Sequence, residues 1–268
     1  MDLAICTIQR NRSPWLKEWV TFHHLVGFTK FYIFLHKCED DSADLLKSLS
    51  TRFDISSFFV DATINLPQLQ VYQYCYQNFN NLHDWIAFID GDEFLFTPNS
   101  ISIEPELAKF DDSKIGAIGV YWASFGSSGH KSEPSGLITE NYRYRAPENF
   151  WWNGHFKSIA KGGQGSAFSV IKNSHLFKTS GATVDTMLRP LAHGFMDHLP
   201  CYESLRINHY STQSYEFFKK YKQNSGCPDA GANYVRPDSW FIEGDRNDIY
   251  DSSLDHLLPL LKLSLISK

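Results

Sequence analysis

The stretch Trp85-Ile86-Ala87-Phe88-Ile89-Asp90-Gly91-Asp92-Glu93-Phe94-Leu95-Phe96 decides how the chain is read. It is an almost unbroken apolar run, interrupted once by four residues of which three are carboxylates. A short apolar run bounded by polar residues marks a strand buried on both faces. Asp90, Asp92 and Glu93 fall where that strand ends, and in open α/β sheets ligands bind just beyond such ends. Carboxylates this close repel one another, so the cluster needs a compensating cation. Mg²⁺ and Mn²⁺ take such oxygen ligands and often share them with substrate phosphates. A solvated Asp-rich turn is the competing reading, and the apolar flanks weigh against it.

Upstream of this stretch, strands and helices alternate. Residues 3–8 read as a first strand. Ser13-Pro14 then gives a helix cap with proline at the first helical position. Trp15, Trp19, Phe22 and Val26 repeat at helical spacing, and Gly27 stops the helix. Residues 31–35 form a second strand, 44–49 a short helix, 55–60 a third strand and 68–80 another helix. The opening stretch is the fourth strand. Alternation at this pace implies a parallel sheet joined by crossover helices.

Downstream, residues 115–122, 137–144, 155–160 and 204–209 read as strands. Residues 214–223 read as a helix with Lys219, Lys220 and Lys222 near its end. Lys161-Gly162-Gly163-Gln164-Gly165 lacks the spacing of a phosphate loop and is a turn. The apolar tail 254–266 is broken by Asp255, His256, Pro259 and Lys262, which suits a docking helix better than a membrane anchor. No repeat or Pro/Ser linker divides the chain. The expectation is one α/β domain over residues 1–268, a mixed, mostly parallel sheet flanked by helices. Residues 1–97 then form the nucleotide-binding half and residues 98–268 the acceptor half.

Composition narrows the class. The 268 residues are 43% hydrophobic and 21% charged, as in ordinary globular proteins. A formal charge of −5 with no concentrated basic stretch argues against a nucleic-acid partner. Cys6, Cys38, Cys75, Cys201 and Cys227 are odd in number and never spaced as C-x-x-C, which favours reduced thiols over disulfides or zinc. Asp2 in place of a basic start, and no run near the ~20 apolar residues of a membrane span, point to a cytoplasmic protein. A peripheral contact with the inner membrane face stays open through the tail. There is no G-x-S-x-G, no H-E-x-x-H and no catalytic-cysteine context.

Three further groups have the chemistry of a site. Arg10-Asn11-Arg12 follows the first strand, where polar side chains can face a bound nucleotide or simply line a solvated loop. Asp40-Asp41 follows the second strand, suited to ribose hydroxyls or equally to capping the next helix. His209 ends the alternation 205–209 just before the basic helix, where an imidazole and lysines can approach a metal and its phosphates. Tyr121-Trp122, Phe125 and Phe150-Trp151-Trp152 offer aromatic surface for sugar faces or for the core.

Taken in order, these residues resemble glycosyltransferases of the GT-A fold, specifically family 92 and related family-2-like bacterial enzymes. The likeness runs through most of the chain. Arg10-Asn11, Trp15-Leu16-Lys17-Glu18-Trp19 and His23 are similar to the opening K-N-E…Y-L-x-E-W…H. Glu39-Asp40-Asp41-Ser42, Gln70 and Tyr74 follow, and Trp85 to Phe94 resembles W-x-x-F-x-D-x-D-E-F. Trp122 to His130 (WASFGSSGH), Lys157-Ser158-Ile159 and Asn208-His209-Tyr210 with Ser214 complete the series.

The resemblance implies sugar transfer from a nucleotide-sugar donor, UDP-linked and with galactose the associated sugar, to a glycan or glycolipid acceptor with inversion. It implies Asp90, Asp92 and His209 as ligands of Mn²⁺ or Mg²⁺, with Glu93 in support. Arg10, Asn11, Asp40, Gln70 and Asp90 would face the donor, and Lys157 and Lys219 its phosphates. Inversion needs an acidic base, for which Asp185 is favoured over Glu133. Arg12 stands where the family has Glu and Gln213 where it has Lys, so donor details are open. A GT-A-like binding module without turnover and a metal-dependent nucleotide-sugar pyrophosphohydrolase remain as alternatives.

Overall fold

The computed structural model describes residues 1–164, 169–170, 173–196, 198–226 and 231–266. The chain begins β1 (Leu3–Gln9), α1 (Ser13–Leu25), β2 (Lys30–His36), α2 (Ser42–Leu49), β3 (Asp54–Val60), α3 (Gln68–Phe79) and β4 (Trp85–Phe88). After the 90–92 turn come β5 (Glu93–Phe96), α4 (Glu104–Leu107), β6 (Ile115–Ser124), α5 (Ile138–Asn141), β7 (Tyr144–Arg145) and β8 (Phe156–Lys161). β9 (Ser169–Val170), β10 (Phe177–Lys178), β11 (Ala182–Asp185) and β12 (Arg206–His209) follow. The last elements are α6 (Tyr215–Phe217), α7 (Asp238–Gly244), β13 (Ile249–Tyr250) and α8 (Leu258–Ile266).

The main sheet runs β3-β2-β1-β4-β8-β6-β12-β5, with β11 also paired to β6. β1 pairs in parallel with β2 and with β4, whereas β8 is antiparallel to both β4 and β6. The mixed, mostly parallel α/β sheet expected from the alternation is therefore present.

Strand periodicity distributes the core. Leu3, Ile5, Phe31, Ile33, Leu35, Trp85 and Ala87 point to one face, against Trp15, Trp19 and Phe22 of α1. Ala4, Cys6, Tyr32, Phe34, Ile86 and Phe88 point to the other, against Val71, Tyr72, Cys75 and Tyr76 of α3. Each such side chain removed from water contributes about 1.5–3 kcal/mol, so β4 has no solvent face to spare for polar residues. That explains its unbroken apolar sequence.

The opening stretch is two strands rather than one. β4 ends at Phe88, the chain turns through Asp90-Gly91-Asp92, and β5 leaves to pair antiparallel with β12, Glu93 opposite His209. This divergence opens a gap at the sheet's carboxyl edge.

Several local expectations change. Residues 137–144 do not form a strand. The buried carboxylate of Glu18 accepts from the backbone N–H of Ile138 (2.8 Å) and Thr139 (3.0 Å) and from the Thr139 hydroxyl (2.7 Å). Three donors converging on one carboxylate make a helix start, and α5 follows. Nor does the Ser13 side chain cap α1. Ser13 is the first helical residue, and its N–H is taken by Asp40 Oδ2 at 2.9 Å.

Ser214 does cap its helix, accepting from Phe217 N–H, but the helix widens into a π turn over Phe218–Lys222. α8 packs on α1 through a turn that buries Leu254, Leu257 and Leu261. Among the described residues no helix is long and apolar enough to cross a membrane. Cys6, Cys38, Cys75 and Cys201 are free thiols, and Cys227 lies outside the described residues.

Candidate active site

A cleft of about 290 Å³ lies beyond the carboxyl ends of β1, β2 and β4. Gln9, Arg10 and Arg12 line it after β1, His36 and Lys37 after β2, and residues 65–68 ahead of α3. Asp90, Gly91 and Asp92 form its floor, and Phe217, Tyr221, Lys222 and Arg236 close it from the C-terminal side. Lys37 and Leu66 hold positive φ angles of 51° and 53°, and neighbouring Asn11 one of 52°. Backbone strain in non-glycine residues gathers where a site over-determines its loops, as it does around this cleft. Gly91 is required for a different reason. A Cβ there would sit 2.0 Å from Gln9 Oε1, so any side chain at this position must displace the Gln9 amide.

The two aspartates of the turn face different partners. Asp90 Oδ2 accepts from Lys157 Nζ at 2.8 Å, while its Oδ1 accepts from Gln68 Nε2 (2.7 Å) and the Tyr72 hydroxyl (3.2 Å). Asp92 Oδ2 lies 2.5 Å from Lys222 Nζ, and its Oδ1 lies 3.8 Å from His209 Nε2. Glu93 is fully enclosed, its Oε2 bonded to the Asp90 N–H at 2.9 Å and its Oε1 without a hydrogen bond.

Their electrostatics follow from those partners. Burial opposes ionisation of Asp92, but Lys222, His209 and Arg12 outweigh it and hold the carboxyl below its usual range. For Asp90, Lys157 likewise outweighs burial, and the carboxyl is lowered. Glu93 is pushed up by burial, against the pull of Lys157. Burial brings His209 down to about 4, against the pull of Asp92, leaving a neutral imidazole able to donate a lone pair.

Arg12 fills the space between these groups. Its Nη2 donates to Gly91 C=O at 2.8 Å, and its guanidinium lies 4.6 Å from the Trp15 ring and 5.4 Å from that of Phe217. A glutamate at this position would bring a fourth carboxylate to the turn, so the departure from the family pattern changes the charge of the site.

The residues expected at the site divide. Arg10, Asp90 and Asp92 line the cleft, and Lys157 and His209 back it through their aspartates. Asn11 instead ties two loops, its Oδ1 accepting from Glu39 N–H at 2.7 Å. Asp40 is engaged in capping α1 and α2 through Ser13 and Ser42. Gln70 is exposed, and Gln68 reaches Asp90 in its place. A residue two along a helix points some 200° away, whereas Gln68 and Tyr72, four apart, share a face. Lys219 pairs with exposed Asp238, and Lys222 reaches the turn.

The two candidate bases also separate. Asp185 is fully enclosed, with Oδ1 bonded to the N–H groups of Met187 and Arg189 and Oδ2 paired to Arg189 Nε at 2.6 Å. Tyr121 donates to the same Oδ2 at 3.4 Å. It lines neither cleft and holds the 185–189 turn. Glu133 lines a second cleft of about 310 Å³ with Trp15, Phe217, Lys220 and Tyr221. Its Oε2 accepts from the Ser214 hydroxyl (2.6 Å) and the Tyr142 hydroxyl (3.0 Å). Phe217 and Tyr221 line both clefts, so the two adjoin.

Three clustered ligands for a divalent ion are not assembled. Among the described residues no three His, Cys, Asp or Glu side chains gather into a metal-binding group. Asp90 is already engaged by three donors, two on Oδ1 and one on Oδ2. Asp92 Oδ1 and His209 Nε2 face each other 3.8 Å apart, close enough to hold one ion between them. A carboxylate with an imidazole suits Mn²⁺, whose remaining positions substrate phosphates can fill.

Comparison with known proteins agrees with this architecture. The sequence model of glycosyltransferase family 92 matches residues 2–226, and the chain belongs to that family. A family 92 protein of Ricinus communis is 28% identical over 97% of this chain and 49% of its own length. One of Oryza sativa subsp. japonica is 25% identical over 94% of this chain and 43% of its own. The chain thus spans less than half the length of these curated relatives. Among solved structures, S. aureus TarS 1-349 in complex with UDP is 12% identical over 60% of this chain and 47% of its own, with a TM-score of 0.38. Glucosyl-3-phosphoglycerate synthase from Mycobacterium tuberculosis, in complex with Mn²⁺, UDP and phosphoglyceric acid, is 12% identical over 45% of this chain and 43% of its own, with a TM-score of 0.30. At these TM-scores the likeness decides nothing about the site.

Proposed function

We propose that the chain transfers a hexosyl group, galactose being the first candidate, from a UDP-sugar to a glycan acceptor with inversion. The observation that carries this reading is the pairing of Asp92 with His209 at the floor of a cleft lined by strand carboxyl ends. Family membership supports it. Asp92 and His209 would hold a divalent ion, whose charge stabilises the departing diphosphate.

The chain's own groups do the rest. Gln9, His36 and the 65–68 segment line the inner cleft and would seat the nucleoside. Lys222 and Arg12 direct positive charge at the place where the leaving group gains negative charge, which lowers the barrier without rearrangement during reaction. Phe217 and Tyr221 separate the donor cleft from the second cleft, where the acceptor would lie. There Glu133 offers Oε1, since its hydrogen bonds among the described residues are made by Oε2. That oxygen would take the acceptor hydroxyl's proton as the oxygen attacks the anomeric carbon.

The test is a panel of nucleotide-sugars and acceptors with Mn²⁺, read by product analysis. Transferred sugar plus UDP is the expected outcome, lost in Asp92→Ala. Release of sugar phosphate would indicate a pyrophosphohydrolase, and UDP binding without turnover on any donor or acceptor would indicate a binding module. Full activity in Asp92→Ala would refute the cation site.

A further inference from the structure

The turn already carries its own counter-charges. Asp90, Asp92 and Glu93 are met by Lys157, Lys222 and Arg12, three carboxylates against three cations. Two of the cations are fixed. Lys157 has a side chain only 1% exposed, paired to Asp90 and 3.9 Å from Glu93. Arg12 is held by the Gly91 carbonyl and sandwiched near Trp15 and Phe217.

Lys222 is different. Its side chain is 23% exposed, and its ion pair among the described residues is with Asp92, the aspartate that also faces His209. It ends the π turn Phe218–Lys222, an irregular segment of the kind that marks functional sites, and its carbonyl is held by Arg236 Nη1 at 3.0 Å. Backbone anchoring with a partly exposed side chain leaves the ammonium able to swing while its stem stays in place. A bare dication approaching Asp92 would meet a carboxylate already neutralised. A nucleoside diphosphate in the cleft offers Lys222 a second anion to bind.

We propose that Lys222 is the resting counter-ion of Asp92 and passes to the diphosphate of the donor, so that the divalent ion enters with the diphosphate and not ahead of it. The inference rests on the nucleotide-sugar reading above. Lys222 then does two jobs in sequence: it neutralises Asp92 before the donor arrives, and afterwards it binds the leaving group.

The experiment titrates Mn²⁺ into the full chain, reading free Mn²⁺ by electron paramagnetic resonance, with and without UDP and with no sugar donor. The unsubstituted chain is expected to bind Mn²⁺ at least about tenfold more tightly with UDP than without it, a typical coupling between two sites. Lys222→Met is expected to bind Mn²⁺ alone about tenfold more tightly than the parent and to lose most of the gain from UDP. Lys222→Arg, which keeps the charge, should resemble the parent. If the parent takes up Mn²⁺ with UDP but Lys222→Met binds Mn²⁺ alone no better, the exchange is overturned and the nucleotide-sugar reading stands. No uptake by the parent at any UDP concentration overturns the exchange and the cation site together.

Discussion

Lys157 places its ammonium 2.8 Å from Asp90 while the lysine side chain is almost wholly enclosed. Lys157 comes from β8 and Asp90 from the end of β4, antiparallel neighbours in the sheet. Burial disfavours the ammonium, but Asp90 and Glu93 overcome it and hold the lysine charged. Removing one partner of such a pair leaves the other uncompensated. Lys157→Met is therefore expected to destabilise the chain by about 3 kcal/mol, the low end for a buried pair because Asp90 keeps some water. Denaturant unfolding measures this, and an unchanged midpoint would show that Gln68 and Tyr72 suffice for Asp90.

Gly91 gives a test of the cleft itself. In Gly91→Ala the new methyl must displace the amide of Gln9, which is otherwise bonded to Thr7 Oγ1 at 2.9 Å. The amide has only the cleft to move into, so UDP affinity should fall about tenfold, the cost of losing roughly one good polar contact. Adding Gln9→Ala to the same chain makes room and should restore part of the affinity. Calorimetry on the two variants decides it.

Glu133 and Asp185 make a paired test of the base. Glu133→Gln is expected to lower kcat about 10²–10⁴-fold, with UDP affinity unchanged. Asp185→Asn should lower the melting temperature, because it breaks the Arg189 pair, while kcat per folded molecule holds. The reverse pattern would return the role to Asp185.

His23 sets acid sensitivity. It is fully enclosed; Nδ1 donates to Trp19 C=O at 2.8 Å and Nε2 accepts from Leu95 N–H at 3.1 Å. Both nitrogens are committed to one neutral tautomer, and burial lowers the imidazole from 6.5 to about 3. With a folded pKa below the unfolded one, this stability is complete above 6.5 and is lost as pH falls toward 3. Between pH 6.5 and 5 the loss is about 2 kcal/mol. His23→Gln lacks that term, so the stability gap between parent and variant should narrow by that amount over the same range. A constant gap would mean that protonation is not what His23 resists.

The alternation of strands and helices over residues 1–97 was legible because each apolar run had a period or length of its own. The alternating Leu3, Ile5 and Ala4, Cys6 sets, and the Trp15-Trp19-Phe22 stripe, needed no tertiary information. Distant capping was not legible. Glu18 turns residues 137–144 from an alternating strand pattern into a helix start, and nothing local announces a carboxylate supplied from α1. That Lys222 is the lysine reaching the turn was not legible for a similar reason. Choosing Lys219 presumes regular helix geometry, and the π turn rotates Lys222 to the carboxylate instead. Asp40 and Asn11 look like nucleotide contacts in sequence because both follow strands, yet each is consumed in joining two loops. Gln68 was within reach of helix spacing, had Asp90 been taken as its target.

The β5–β12 ladder has a practical consequence. Glu93 lies opposite His209, so the spacing between the 90–92 turn and the imidazole is set by hydrogen-bond register and not by the chain between them. More than a hundred residues separate the two partners, and their length does not enter the geometry. Loops within that span can therefore be lengthened, exchanged or grafted while the ladder keeps Asp92 and His209 in gauge. A single-residue slip of β12 would turn His209 to the opposite face and lose it. For anyone redesigning specificity, the loops of the span are the adjustable part, and the four rungs together with β6 and β8 are the part to leave alone.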